Sequence, residues 1–244
     1  MSTDPDTALA ALRFYTTPAH ACSYLADRQA VTLFADPGAK IDTRTYTTLS
    51  AHGFRRSGAH IYRPHCQACK ACIPVRVLVS QARYDRRQKR IWNRNQDLSV
   101  TSLPPQATDE YFDLFARYIA ARHADGDMYP ADRQQFQSFL VQGRTEARFI
   151  EFRLEGKLLA VSVIDELDDA LSAVYTFFEP REARRSLGTH VVLWLLQETR
   201  RQQKPWLYLG YWIRQCQKMS YKTDYQPIEG YINDRWVSLP PDRV

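Results

Sequence analysis

The stretch ARFIEFRLEGKLLAVSVIDELDDALSAVYTFF, residues 147–178, decides how this chain reads. Its β-branched and aromatic residues alternate over 147–154, 158–165 and 171–178, which predicts three consecutive strands. Glu155-Gly156-Lys157 and Asp168-Asp169 carry turn chemistry between them, so the strands are antiparallel neighbours. Toward the C-terminus, residues 186–201 place Leu187, Val191, Trp194 and Leu195 at helical spacing and end in Arg200-Arg201, a basic turn that suits the negative end of a helix. A strand over 206–211 follows, and residues 228–239 read as a hairpin turning at Asn233-Asp234. Toward the N-terminus, Thr108 is a helix cap with Asp109 and Glu110 in the first turn, ahead of Tyr111, Phe112, Phe115, Tyr118 and Ile119. A second short helix is predicted from Asp132 through Phe136, Phe139 and Leu140.

Leu103-Pro104-Pro105 interrupts the periodicity within 102–108, and before it lie short elements, cysteines and a strand over 75–79 bounded by Pro74 and Ser80. Two units are expected: an N-terminal region over 1–82 that holds the cysteines, and a second domain over 100–244. The fold class is α+β, a mixed and mainly antiparallel sheet with flanking helices. The order of elements in the second unit resembles the acyltransferase fold often called GNAT.

Composition narrows the functional classes. A 44% hydrophobic fraction beside 25% charged residues belongs to a folded soluble protein and excludes disordered and fibrous ones. The longest strongly apolar run, residues 191–196, is too short to cross a bilayer, so no membrane partner is expected. Residues 1–6 are acidic where a signal peptide is basic, and no apolar segment follows, which makes a cytoplasmic protein the expectation. The net charge of +6 suggests a polyanionic partner.

Five cysteines, an odd number, argue against a disulfide framework and for metal or redox chemistry. Cys66, Cys69 and Cys72 recur at two-residue spacing after His65, which lets thiolates converge on zinc or an iron–sulfur cluster, with Cys22 the best candidate for a fourth ligand. The same thiols in reduced, partly buried form are the alternative. Arg83, Arg86, Arg87, Lys89, Arg90 and Arg94 form a basic run around Trp92, fit for a helix face that tracks phosphates while the indole stacks on a base; a solvated charged helix is the plainer reading. The turn Arg184-Arg185-Ser186-Leu187-Gly188 opens a helix, where free amides favour an anion and Gly188 permits close approach, although glycine also serves packing there. Tyr208-Leu209-Gly210-Tyr211-Trp212 reads mostly as core, but it leads into Lys218-Met219-Ser220-Tyr221-Lys222, two lysines among hydroxyls.

These last motifs, together with residues 171–180, Gly53-Phe54-Arg55-Arg56-Ser57-Gly58, Tyr62-x-Pro64 and Cys72-x-Pro74, resemble the aminoacyl-tRNA protein transferases over nearly the whole chain. Within them the chain is most similar to the short bacterial aspartate/glutamate leucyltransferases, rather than to the longer eukaryotic arginyltransferases. Arginyl-branch members place a Cys-x-x-Cys near the first cysteine and can carry an iron–sulfur cluster; here Cys22-Ser23-Tyr24-Leu25 keeps one of the two, and Cys66 and Cys69 are additional. The resemblance implies transfer of an amino acid from leucyl-tRNA to proteins with an N-terminal Asp or Glu.

An aminoacyl ester is already activated, so its aminolysis needs neither ATP nor a covalent intermediate, and no cofactor is required for the chemistry. Asp165 or Glu179, at the ends of central strands, is expected to orient the incoming ammonium and accept its proton, and Tyr175, Tyr211 or Lys222 to stabilise the oxyanion. The acceptor's carboxylate calls for arginine, with Arg55 and Arg56 or Arg184 and Arg185 as candidates. The basic helix, Gly188 and Lys218 are expected to meet the tRNA. Competing readings are an arginyl-tRNA enzyme, an acetyl-CoA-dependent GNAT enzyme and a non-enzymatic metal-ribbon RNA-binding protein.

Overall fold

The computed structural model describes residues 12–241, so the acidic stretch 1–6 that bears on a signal peptide lies outside the described residues. The N-terminal part is woven from short strands: β1 (Phe14–Thr16), β2 (His20–Ala21), β3 (Gln29–Ala30), β4 (Thr32–Ala35), then α1 (Thr43–Ala51), β5 (Arg55–Ser57) and β6 (His60–Pro64). Asp42 caps α1 by accepting from the Thr45 amide. Strands β1, β4, β6 and β5 form one small antiparallel sheet in that order.

The chain then enters the main sheet with β7 (Ile73–Leu78), leaves it for α2 (Arg86–Arg94), and returns as β8 (Ser99–Leu103). Helix α2 carries a full capping box, in which Asp85 accepts from the Gln88 amide and the Gln88 side chain accepts from the Asp85 amide. Helix α3 (Asp109–Arg122) starts at Thr108, which accepts from the Tyr111 amide. The short α4 (Arg133–Phe136) continues into a wide turn over Gln137–Val141. After it come β9 (Ala147–Leu154), β10 (Lys157–Glu166), β11 (Ala170–Phe178), α5 (Leu187–Arg201), β12 (Trp206–Trp212), β13 (Ile228–Ile232) and β14 (Arg235–Leu239). The turn between β13 and β14 is made by Asn233 and Asp234, both at positive φ, as a tight hairpin demands.

The eight-stranded sheet runs β14-β13-β7-β12-β11-β10-β9-β8 and is antiparallel throughout except for β11 against β12. Helices cover both faces. Tyr111, Leu114, Phe115 and Ile119 of α3 pack with Phe149, Val161, Val163 and Phe177 on one side. Leu187, Val191 and Leu195 of α5 pack with Ile150, Phe152, Leu171, Leu207 and Leu209 on the other, and Ile91 of α2 joins them. Neighbouring residues such as Phe149 and Ile150 thus serve opposite cores, as the period of two in a strand requires.

The small N-terminal sheet is not a free-standing lobe. Its core residues Tyr46, Leu49, Phe54 and Ile61 pack with Leu167, Ala170 and Tyr208 of the main sheet. Strand β7 belongs to the same sequence region yet lies inside the main sheet, hydrogen-bonded to β12 on one side and β13 on the other. Among the described residues no helix is long and apolar enough to cross a membrane.

Candidate active site

Parallel strands β11 and β12 stay paired for only three positions, Ala170 with Trp206, Leu171 with Leu207 and Ser172 with Tyr208. Past them the strands part, and a wedge opens between 173–178 and 209–212. The cause is local: Gly210 takes a φ of 77°, and the register of β12 against β7 shifts between Tyr208 and Tyr211. Among the described residues β11 and β12 are not paired with each other beyond these three positions.

Lys222 occupies this place. Its side chain comes from a short helical stretch, Gln217–Asp224, and is 8% exposed. Its Nζ lies 3.7 Å from where a Cβ on Gly210 would stand and donates to the Tyr211 carbonyl. Burial pulls the amine down to about 8, helped by the positive charge of Arg55. Around Arg55 gather Tyr46, Tyr62, Tyr208 and Tyr211, and burial lowers the affinity of its guanidinium for its proton.

The remaining residues expected here are bound elsewhere. Asp165 has a fully buried side chain and accepts two 2.8 Å bonds from Nε and Nη2 of Arg56, also fully buried, and a 2.7 Å bond from the Tyr46 hydroxyl. Asp165, expected to accept a substrate proton, and Arg56, expected to receive a substrate carboxylate, here satisfy each other and fasten β5 to β10. Glu179 accepts from Nε of Arg117 at 3.1 Å and from the Arg181 amide, which makes it the cap of the turn after β11 rather than a free base. Tyr211 directs its hydroxyl at the carbonyls of Gly53 (2.9 Å) and Tyr62 (3.2 Å), so it ties β12 to the N-terminal sheet instead of facing an oxyanion. Tyr175 sits among Phe115, Tyr118 and Phe139 with its hydroxyl buried and unpartnered.

Arg185 is likewise engaged, through two 2.9 Å bonds to Asp97, while Arg184 is exposed and its carbonyl accepts from Arg94. Gly188 is explained by packing, since a Cβ there would stand 3.1 Å from the Phe178 ring. The wedge thus gathers Lys222 and Arg55 from the expected set, and the fold uses Arg56, Asp165, Glu179, Arg185 and the hydroxyl of Tyr211 as ties.

Residues 20–90 match the family model described as arginine-tRNA-protein transferase, N terminus, and residues 110–232 the model for its C terminus. A protein named aspartate/glutamate leucyltransferase from Pseudomonas fluorescens (strain SBW25) is 57% identical over 96% of this chain and 99% of its own. One of the same name from Stutzerimonas stutzeri (strain A1501) is 55% identical over the same shares. The chain belongs to the aspartate/glutamate leucyltransferase family. Among solved structures, L-PGS from Bacillus licheniformis is similar over 82% of this chain and 68% of that one, at 11% identity and a TM-score of 0.46.

In this family member the basic run lies on α2 and just before it. Arg83, Arg86, Arg87, Lys89, Arg90 and Arg94 are all exposed, and Gln88 and Ile91 form the buried side. Arg87 reaches Asp224 at 3.5 Å, an exposed pair of little energetic weight. Trp92 does not project as a stacking platform; its ring packs between Tyr84 and His190, so it mounts α2 on α5. Lys218 pairs with Asp125 at 2.8 Å, which joins the segment bearing Lys222 to the loop after α3.

Cys22, Cys66, Cys69 and Cys72 are free, half-buried thiols. They lie near enough that burial, with the charges of Cys22, Cys66, Cys69 and Cys216, pushes Cys72 up to about 12. Among the described residues, however, no group of three or more His, Cys, Asp or Glu side chains is gathered to hold an ion, and the Cys66 sulfur is turned to the backbone of Val31. As placed, the four thiols do not fit a zinc or cluster site.

Of Tyr46, Tyr62 and Tyr208, which surround Arg55, sequence reasoning missed Tyr46 altogether and took up Tyr62 and Tyr208 only within the motifs of the resemblance, with no role assigned. They lie 119 and more residues from some of their partners, and a lone tyrosine reads as core.

Proposed function

We propose that this protein is a cytoplasmic enzyme that moves leucine from leucyl-tRNA to the α-amine of proteins beginning with aspartate or glutamate, and so marks them for degradation. The observation that carries this reading is the wedge between β11 and β12, with a buried amine of lowered proton affinity held against Gly210. Open α/β sheets bind ligands in crevices beyond the carboxyl ends of their parallel strands, and this wedge opens on the carboxyl side of the paired positions of parallel β11 and β12. We read the main domain as GNAT-like on the same ground.

The neutral α-amine of the acceptor attacks the ester carbonyl and a C–N bond forms. The proton shed by that nitrogen passes to neutral Lys222. Collapse of the tetrahedral centre breaks the ester C–O bond, and the departing ribose oxygen takes the proton from Lys222. A peptide bond and a free hydroxyl result with no net proton change. At pH 7.4 a lysine titrating near 8 is about one-fifth neutral, enough to act, whereas an ordinary lysine is almost wholly charged. The unpartnered hydroxyl of Tyr175 is the candidate donor to the oxyanion.

Leucine suits the cavity of about 390 Å³ at the end of β12, lined by Ala71, Ile73, Trp212, Ile232 and Leu239. No carboxylate is among the described residues that line it, so an arginyl side chain buried there would lack a charged partner. Against acetyl-CoA stands the turn before α5, where Arg185 is spent on Asp97 and Gly188 on Phe178. Labelled leucyl-tRNA and arginyl-tRNA, offered with peptides starting in Asp, Glu or Ala, are expected to yield product only from the leucyl donor and the two acidic acceptors. Equal use of arginyl-tRNA, or transfer from acetyl-CoA, would overturn the reading.

The exposed face of α2 is proposed to hold the tRNA backbone. Affinity should then fall with salt at a log-log slope of roughly −0.7 to −0.9 per phosphate neutralised, and Arg86→Ala and Arg90→Ala should each flatten it by about that amount. A titration showing the same slope in the double variant would remove α2 from the interface.

A further inference from the structure

Arg55 is a buried cation with no carboxylate partner among the described residues. Three other arginines that the fold draws away from water each close on one: Arg56 on Asp165, Arg76 on Glu229 and Arg144 on Glu146. Arg55 is 5% exposed, and its Nη1 donates to the carbonyls of Ser50 and Phe54. Its Nε and Nη2 have no partner among the described residues. The guanidinium carbon lies 4.4 Å from the centroid of the Tyr208 ring, so stacking supports the plane while leaving its edge unused. Burying a charge in this condition is costly, and a fold that pairs Arg56 one residue away has no evident need of it.

The Nε–Nη2 edge matters because two parallel N–H groups match the two oxygens of a carboxylate. Arg56 shows the match directly, with Nε on Oδ2 and Nη2 on Oδ1 of Asp165, each at 2.8 Å. Adjacent residues of a strand face opposite ways, so Arg56 meets the carboxylate supplied by β10 and Arg55 does not. Arg55 lies over the Tyr208 ring and Lys222 reaches Gly210 and the Tyr211 carbonyl, so both groups meet the same four residues of β12. Of the four arginines that sequence offers for an acidic acceptor, Arg56 and Arg185 hold internal carboxylates and Arg184 lies on the surface.

We infer that Arg55 is the specificity-determining residue of the acceptor site, receiving the side-chain carboxylate of an N-terminal Asp or Glu on its Nε–Nη2 edge while the acceptor's α-amine lies toward Lys222. The inference rests on the transfer reading above. Discrimination follows from the cost of leaving the edge unmet: an amide or apolar side chain cannot supply a second charged acceptor, and such sites reject the wrong substrate strongly.

The test uses the full-length protein, four peptides differing only in an N-terminal Asp, Glu, Asn or Gln, and two measurements: kcat/KM with leucyl-tRNA, and equilibrium binding of the Asp and Asn peptides without tRNA. The parent is expected to favour Asp over Asn by roughly a thousand-fold or more, as sites built around a buried polar partner do. Arg55→Met should lower kcat/KM for Asp and Glu by about a hundred-fold or more, bring the Asp-to-Asn ratio within about tenfold, and abolish the binding preference. Its thermal midpoint should stay level or rise, because an unpaired buried charge is removed. Arg55→Lys, which keeps the charge and loses the fork, should fall between. The assignment is overturned if the ratio survives in both variants, if only the KM for leucyl-tRNA rises, or if all four peptides lose activity alike. Failure of the transfer reading looks different: the parent transfers no leucine, yet still binds the Asp peptide in an Arg55-dependent way.

Discussion

An Arg56→Met variant is expected to melt roughly 6–20 °C below the parent, because removing one partner of a buried ion pair costs about 3–5 kcal/mol and each kcal/mol moves the midpoint of a chain this size by about 2–4 °C. The loss follows from what stays behind. Asp165 keeps only the hydroxyl of Tyr46, in a site where both charged side chains have no exposed surface. Burial, with the Asp165 charge, already holds the Tyr46 hydroxyl far above its ordinary range, and a proton passed from it to Asp165 would only leave the negative charge on a buried phenolate. The double variant Arg56→Met/Asp165→Leu should recover most of the loss, since replacing a whole buried pair with apolar side chains is often neutral. Chemical denaturation of the parent, both single variants and the double closes the cycle. Additive losses, or a single variant that falls by less than about 1 kcal/mol, would show that the pair does not fasten the N-terminal sheet to β10. The recovered double variant should still transfer leucine, which separates a structural Asp165 from a catalytic one.

What the sequence made legible was local. Strands β9, β10 and β11 and the hairpin at Asn233-Asp234 lie within a residue or two of their predicted bounds, because alternation and turn residues are contiguous signals. Helix α5 was equally plain. Edge strand β8 was lost in the seam read at 102–108, since Ser99, Thr101 and Ser102 face water and leave no apolar alternation. The place of β7 could not be read at all: its neighbours β12 and β13 come more than a hundred residues later, and nothing in residues 73–78 names them. The site divides in the same way. Reading could gather Arg55, Arg56, Arg184, Arg185, Asp165 and Glu179 as charges worth explaining. It could not tell that Asp97, Asp165 and Glu179 each come with an internal partner, because pairing across 62 to 109 residues of chain is a property of the fold. Adjacent Arg55 and Arg56 are the clearest instance, alike in sequence and opposite in fate.

Lys222→Met is expected to lower leucine transfer by about 10²–10⁴-fold, the range typical of a lost proton acceptor, while leaving the fold at least as stable, since a buried amine is exchanged for an apolar chain of similar length. Lys222→Arg should be no better, because a guanidinium does not give up its proton at these pH values. The pH profile carries the stronger argument. Burial and Arg55 bring Lys222 down to about 8, so its working neutral form appears as pH rises through 8 and is lost as pH falls below it. The acceptor's own α-amine titrates near ~8 as well, so below about pH 7 the parent's log kcat/KM should climb about two units per pH unit, and that of Lys222→Met about one. Equal slopes, or a Met variant within a few-fold of the parent, would take the proton-acceptor role from Lys222. The slopes also test the coupling between recognition and chemistry. When an acidic acceptor neutralises Arg55, the field that depresses Lys222 is relieved and the amine becomes a stronger base at the moment its substrate is in place. The limb due to Lys222 should therefore lie at higher pH in kcat, which reports the complex, than in kcat/KM, which reports the free enzyme. In Arg55→Met, where no field remains to be relieved, the two limbs should coincide.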